Sequence, residues 1–463
     1  MLPPIAVSVV FQDGSWRAFL LAFFVVLAAG LVFWWPVRNS KRELRLRDGF
    51  LVVACFWIVL GLFGAAPLLF AERPAMSITD AVFESMSGLT TTGATVLSGL
   101  DELPPAILYY RQQLQWFGGM GIIVLAVAVL PMLGVGGMQL YRAETPGPVK
   151  DTKLTPRITE TAKALWYIYL TITVVCAFAY WLAGMTVFDA ICHSFSTVAI
   201  GGFSTHDASI GHFQSPLIEM IAVLFMFISG VNFSLHFLGW RARSLANYLL
   251  DSEFKAYAAG MIGLTIVVLM YLYGTGYYPT IADTFTKGLF QVVSVATTTG
   301  FTTDNFSAWP GALPVLLLFS SFIGGCAGST AGGMKVIRWL LVYKQGVREV
   351  RRLIHPSAAI PVKLGNKAVH YQVVDAVWGF FSLYIVVFGI MIVILVALGL
   401  DQVSAFAAVA ATLNNLGPGL GDVAQGFGTV VDPAKWLAVV AMLLGRLEIF
   451  TLLVLITPTF WRR

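Results

Sequence analysis

Long apolar stretches separated by short polar ones run from one end of the chain to the other, and their lengths define the elements. A helix crossing the roughly 30 Å hydrocarbon layer needs about 20 largely apolar residues. Uncharged runs of that order fall at 18–36, 49–71, 112–141, 164–188, 256–282, 308–334 and 376–400. Two more carry charges: 217–240 has Glu219 near one end and His236 near the other, and 435–460 is interrupted by Arg446 and Glu448. The pattern predicts nine spans. The first ends in Phe33, Trp34, Trp35 and Pro36 rather than in the small residues of a cleavage site, so it reads as a retained helix.

Between paired spans lie four stretches too short to cross, 78–89, 189–199, 283–297 and 401–413, each beginning near an aspartate: Asp80, Asp189, Asp283 and Asp401. Each then enters a Gly/Thr-rich segment. These segments, SGLTTTGATV (87–96), STVAIGGFST (196–205), SVATTTGFTT (294–303) and ATLNNLGPGL (411–420), align on Gly93, Gly202, Gly300 and Gly417. Span, half-helix, glycine loop and span thus recur four times, and an internal repeat fixes architecture more firmly than an isolated motif. The predicted fold class is an all-α polytopic membrane protein of four pseudo-fourfold repeats plus a leading helix. Its divisions are 1–47 (leading helix region), 48–141, 142–250, 251–350 (containing a glycine-rich intramembrane loop) and 351–463.

Composition removes the alternatives. Of 463 residues 58% are hydrophobic and 11% charged, against about 25% charged in soluble domains. With 34 Phe, 15 Tyr and 13 Trp and a mean hydropathy of +0.80, the apolar surface exceeds what one water-exposed core hides, which excludes a soluble enzyme. Intrinsic disorder is excluded too, because no long polar tract is present. Cys55, Cys176, Cys192 and Cys326 lack CxxC or Cys/His pairing and read as small core residues.

The basic residues orient the chain. They gather in Arg38 to Arg47, Arg142 to Lys163, Arg241 to Lys255, Lys335 to Lys367 and the terminal Arg462 and Arg463, and such segments face the cytoplasm. The opposite side keeps only Arg17, Arg73, Arg111, Lys287 and Lys435 beside many acids, among them Asp80, Glu84, Asp101, Glu102, Asp207, Asp304 and Asp422. An acidic outer mouth concentrates cations over about 10 Å at ordinary salt.

Non-helical backbone at membrane depth must be buried in protein or line a wet pathway, since an unsatisfied peptide group in hydrocarbon is costly. Four such loops around one pseudo-fourfold axis would share one pathway. Glycine torsions turn carbonyl oxygens inward, rings of carbonyls replace a cation's water shell, and the C-terminal ends of the half-helices add negative potential. Plain hairpin turns would not each need a half-helix in front of them.

Charges inside spans narrow the chemistry further. Arg446 in mid-span costs about 3 kcal/mol on insertion scales and must face a cavity or a partner; a tie between helices through backbone carbonyls is the structural alternative. Glu448, two residues on, points to another helix face, so no intrahelical pair is expected. The stretch GGCAGSTAGGMK from Gly324 to Lys335 has too many glycines for an undisturbed helix and should break. It resembles a phosphate-cradling loop only loosely, because Val336 stands where Ser or Thr is needed and no strand precedes it. His206, beside Asp207, and His212 lack zinc-helix spacing and read as solvated outer-loop residues; His193 reads as a packed, hydrogen-bonded group. Gly118 and Gly119 read as close helix contacts. The run Lys344 to Arg352 suits anionic lipid or a regulatory protein. Neither GxSxG nor HExxH occurs, against an intramembrane hydrolase.

The segments SGLTTTGATV, IGGFSTHDASI, ATTTGFTTD, ATLNNLGPGLG, FIGGCAGSTAGGMKVIR and GRLEIFTLLVLITPTFW closely resemble the Trk/Ktr/HKT superfamily of potassium transporters, over practically the whole chain. The resemblance implies potassium uptake across a bacterial inner membrane by a multi-pass protein that catalyses no covalent chemistry. It places the potassium ion on the carbonyls of Thr91, Thr92, Gly93, Ile200, Gly201, Gly202, Thr298, Thr299, Gly300, Asn415, Leu416 and Gly417, with no organic cofactor. Sodium-admitting members often have Ser at the first filter glycine, so Gly93 favours potassium. By the same likeness, Arg446 is a barrier below the filter. Gly324, Gly325, Gly328, Gly332 and Gly333 form a gate, and Lys335 reaches the cavity. Also implied are a cytoplasmic nucleotide-binding regulatory subunit, TrkA, a homodimer, and contact with lipid but not nucleic acid. The members it most resembles usually carry two helices ahead of the first repeat, whereas this chain has one, preceded by the short apolar stretch Leu2 to Phe11. A potassium symporter coupled to proton or sodium is the alternative; the spans, with Glu448 as their one acid of that kind, resist it.

Overall fold

The computed structural model describes residues 1–39, 46–124, 158–365 and 367–461. Ahead of the first repeat stand α1 (Leu2–Phe11) and α2 (Trp16–Trp34). Repeat one comprises α3 (Leu46–Gly64), its short extension α4 (Ala66–Phe70), the half-helix α5 (Ile78–Leu89) and α6 (Pro105–Val124). Repeat two has α7 (Ile158–Leu182), the half-helix α8 (Val187–Ala199), α9 (Pro216–Ser229) and α10 (Phe233–Ala242), with α11 (Ala246–Leu250) following. Repeat three has α12 (Ser252–Thr275), the half-helix α13 (Ile281–Ala296), α14 (Leu313–Ser320) and α15 (Val336–Ile354). An antiparallel hairpin of β1 (Lys363–Leu364) and β2 (Lys367–Ala368) leads into repeat four. That repeat comprises α16 (Tyr371–Ala397), the half-helix α17 (Gln402–Leu413), α18 (Asp432–Arg446), α19 (Phe450–Ile456) and α20 (Pro458–Trp461).

The recurring aspartates are helix-start signals. Ser77, Thr186 and Thr280 cap α5, α8 and α13, each accepting from the amide of the aspartate three residues on. Each cap hydroxyl also donates back to that carboxylate, at 2.9, 2.7 and 2.6 Å. This reciprocal arrangement pins the first turn and puts negative charge at the positive end of the helix dipole. In repeat four Asp401 is itself the cap, accepting from Val403 and Ser404.

Five described helices are continuous, long and apolar enough to cross a membrane: Trp16–Val37, Asp48–Phe70, Ala162–Leu182, Ser252–Thr275 and Tyr371–Ala397. The other predicted spans need correction. The run at 217–240 is α9 and α10, bent by 93°. The run at 308–334 unwinds after Ser320, and that at 435–460 breaks after Arg446, where Glu448 and Ile449 take positive φ. The run at 112–141 starts earlier, at Pro105, and its part beyond Val124 lies outside the described residues. Apolarity reports a residue's surroundings and not whether the helix is continuous.

The leading region also differs from expectation, because Leu2–Phe11 is a helix in its own right. It is too short to cross and packs on α6. Ser8 Oγ donates to Asp13 and accepts from the Trp16 amide at 2.8 Å, while Asp13 accepts from the Ala106 amide at 2.9 Å, so the α1–α2 turn is fastened to the start of α6.

Candidate ion pathway

Each half-helix ends in the same three-residue turn. The first residue is left-handed (Thr91 φ 52°, Ile200 55°, Thr298 66°, Asn415 54°), and so is the third (Gly93 80°, Gly202 77°, Gly300 82°, Gly417 97°). The middle amides turn back onto their own half-helices. Thr92 donates to Ser87 at 2.9 Å, and Gly201 to Ser196, Thr299 to Ser294 and Leu416 to Ala411 at 2.8 Å. Left-handed torsion is costly for the β-branched Thr91, Ile200 and Thr298 and persists only where the surroundings impose it.

The glycines report how the four turns meet. A Cβ on Gly93 would lie 2.1 Å from the Gly201 oxygen, on Gly202 2.0 Å from that of Thr299, on Gly300 2.1 Å from that of Leu416, and on Gly417 2.7 Å from that of Thr92. Loop one thus abuts two, two abuts three, three abuts four and four abuts one. The four loops aligned from sequence stand around one axis, and the third position admits no side chain.

A shell of polar side chains braces the ring, a role the sequence did not show. Gln115 donates from Nε2 to the Gly201 oxygen at 2.6 Å and accepts from the Phe203 amide at 3.1 Å, leaving the Gly201 carbonyl its second lone pair. Asn415 Nδ2 reaches Thr92 Oγ1 at 2.9 Å and the Met442 oxygen at 3.0 Å. Arg111 and Glu84, expected on the acidic outer surface, are instead fully buried and paired at 2.7 Å. Arg111 also donates to Thr95 Oγ1 at 3.1 Å and to the Ser204 oxygen at 3.3 Å, joining loops one and two. Lys435 pairs with Asp80 at 2.7 Å, so two of the outer-side charges neutralise each other locally. The signal for Arg111 was Pro105, a helix-start residue well ahead of the uncharged run.

Residues 321–335 unwind as the glycines predicted and lie against the ends of three half-helices. Thr330 Oγ1 donates to the Val198 oxygen at 2.9 Å, the Gly332 amide to Thr298 Oγ1 at 2.7 Å, and the Gly333 amide to the Asn414 oxygen at 3.0 Å. The bend between α9 and α10 joins in, with the Cys326 amide on the Gly230 oxygen at 2.8 Å and the Phe233 amide on the Gly328 oxygen at 3.1 Å. Arg446, 2% exposed, donates to the Thr330 and Gly118 oxygens at 3.1 Å each, which is the geometry of a tie through carbonyls. Glu448 faces elsewhere, accepting from Arg338 at 2.6 Å. Lys335 folds onto the Ala331 oxygen. Glu253 was missed because its run was counted from residue 256; buried, it accepts from the Ala327 and Ile337 amides at 2.7 and 3.2 Å, gripping both shoulders of the loop. Glu84, Asp189, Glu219 and Glu253 are buried while Glu448 is only half-buried, so scarcity of buried acids no longer weighs against ion coupling.

On the outer side His206 is not simply solvated. Its Nδ1 is 2.5 Å from Asp101 and its Nε2 3.4 Å from Asp189. Burial opposes its charge, but the hydrogen bonds to Asp189 and Asp101 prevail and raise its pKa. His193 is packed as expected, bonded to the Asp189 oxygen and to Ser204 at 2.9 Å each.

Crossing helices, re-entrant half-helices and four interlocked loops define a polytopic helical membrane protein built from loop-bearing repeats. The chain belongs to the TrkH family, described as cation transport proteins, whose profile matches residues 15–462. It is 61% identical over 464 residues to the Trk system potassium uptake protein TrkH of Vibrio parahaemolyticus, covering 100% of this chain and 96% of that protein. The corresponding figures for the protein of that name in Escherichia coli strain K12 are 59% over 462 residues, 100% and 96%. Trk system potassium uptake protein TrkG of the same strain is 42% identical over 462 residues, with 100% and 95% covered. The crystal structure of the potassium transporter TrkH from Vibrio parahaemolyticus superposes with a TM-score of 0.92 at 58% identity, covering 100% of this chain and 96% of that one. The family is one of transporters, not enzymes.

Proposed function

We propose that this chain is the potassium-conducting subunit of a bacterial inner-membrane uptake system, and the observation that carries the reading is the closed ring of the four loops. With the middle amides of Thr92, Gly201, Thr299 and Leu416 bonded back to their half-helices, the turns have carbonyls to offer a dehydrated cation. Potassium is then held by the turn residues Thr91–Gly93, Ile200–Gly202, Thr298–Gly300 and Asn415–Gly417. The segment Gly324 to Lys335 closes the path from the inner side, with Arg446 holding it shut. Since α15 starts where that segment ends and exposes Tyr343, Leu353 and Ile354 near Arg351 and Arg352, a cytoplasmic subunit of the TrkA type docked there would pull on the gate. The working unit would be a homodimer in the inner membrane.

The test is flux in proteoliposomes at fixed membrane potential, with and without a pH gradient. Potassium uptake exceeding sodium uptake, and indifferent to the pH gradient, is the expected result. Uptake that requires the gradient, or that treats the two ions alike, overturns it.

A further inference from the structure

Three ligand-type side chains from two repeats converge on the outer face, at the end of the second loop. Asp101 lies on the short turn Leu100–Glu102, His206 follows the second loop, and His212 lies on the turn Ser209–Phe213. One donor atom from each falls within 4.8 Å of the others. Both imidazoles turn Nδ1 toward the same Asp101 oxygen, at 2.5 and 4.0 Å, and the two rings stack in parallel with centroids 3.5 Å apart.

The surroundings hold these groups independently of any ligand. Asp207 accepts from the Leu100 amide at 3.0 Å and donates its own amide to Asp101 at 3.3 Å; the His206 amide donates to Ser204, and Gly211 donates to Thr302. Behind His206 stands Asp189, whose oxygen is 3.4 Å from Nε2. On metal binding the Nδ1 proton now held against Asp101 would leave, and Asp189 would then stand as the carboxylate behind the far nitrogen, the outer-shell arrangement found for metal-binding histidines. Asp189 is in turn oriented by Thr186 and Thr205, at 2.7 and 2.8 Å. Asp101 and His212 are 45% and 44% exposed, so an ion has an entry path and water has a fourth position.

We propose that Asp101, His206 and His212 form an outer-face site for a zinc-class divalent ion, and that the bound ion slows cation entry. Two imidazoles and one carboxylate suit zinc, nickel or copper, whereas calcium and magnesium prefer all-oxygen shells. Zinc to nitrogen and oxygen bonds of about 2.0–2.2 Å put tetrahedral donors roughly 3.4 Å apart, between the two separations present, so modest side-chain rotation closes the site. The ion would link repeat one to repeat two and place positive charge where cations approach. The effect on flux rests on the transport function proposed above; binding does not.

The test is calorimetric titration of the purified, tag-free protein with zinc chloride. One saturable site per chain is expected, weakened at least tenfold in His212→Ala and in Asp101→Asn, with no competition from excess magnesium. Equal zinc binding by the native protein and both variants, or no saturable binding, overturns the site. His212→Gln repeats the measurement should His212→Ala elute as aggregate. In proteoliposomes, external zinc should slow potassium flux through the native protein but not through His212→Ala. Binding without that difference would sink the inhibitory role alone, and zinc binding by a protein with no potassium flux would count against the transport function alone.

Discussion

Glu84 and Arg111 touch at 2.7 Å with neither exposed, and removing either strands the other as a bare charge. Breaking a buried pair on one side costs about 3–5 kcal/mol. Arg111→Met should therefore lower the melting temperature in detergent sharply, and the double change with Glu84→Gln should recover much of the loss; a double variant as unstable as the single one refutes the pairing. The glycines make the second prediction at this scale. Gly93→Ser places a Cβ 2.1 Å from the Gly201 oxygen at a φ of 80°, and the wall must move. The potassium-over-sodium flux ratio should fall while insertion is retained, with Gly417→Ser milder because its nearest oxygen is 2.7 Å away. Unchanged selectivity in Gly93→Ser would remove Gly93 from the filter. The glycines were legible because a backbone requirement restricts residue type at a fixed offset from each half-helix. The Glu84–Arg111 brace joins residues with no local periodicity between them, and a charge rule reads each as a surface residue.

At the scale of elements, the half-helices matched expectation because caps and aspartates are local signals. The second helices of repeats two and four were predicted as continuous spans, yet each breaks, as does that of repeat three. The break at 321–335 was legible from its glycines. Those at Val231 and Leu447 were not, because there the helix yields to what packs on it. The Gly230 oxygen takes the Cys326 amide, and Glu448 is drawn to Arg338. The grip of Glu253 on the loop gives a third prediction. Glu253→Ala should speed amide exchange at Ala327 and Ile337 and raise basal potassium flux through this chain reconstituted alone. Unaltered exchange at both amides would show that the carboxylate does not hold the loop. Arg446→Ala removes the ties at Thr330 and Gly118, and higher potassium flux at unchanged selectivity is expected. Loss of folded protein with no flux gain in the remainder would leave Arg446 as a purely structural tie.

Across the whole molecule, the loops meet in a fixed cyclic order written by one chain. In a pore assembled from four copies of a subunit, any substitution arrives in all four walls together. Here each wall is encoded separately, and they already differ: Gln115 engages the Gly201 oxygen in one, while Asn415 reaches Thr92 across another junction. A cage that these loops formed around a dehydrated ion would therefore be lopsided, and its strength could be adjusted one quarter at a time. Selectivity could then shift by single substitutions that each touch one wall, where in a fourfold homomer the same substitution touches all four.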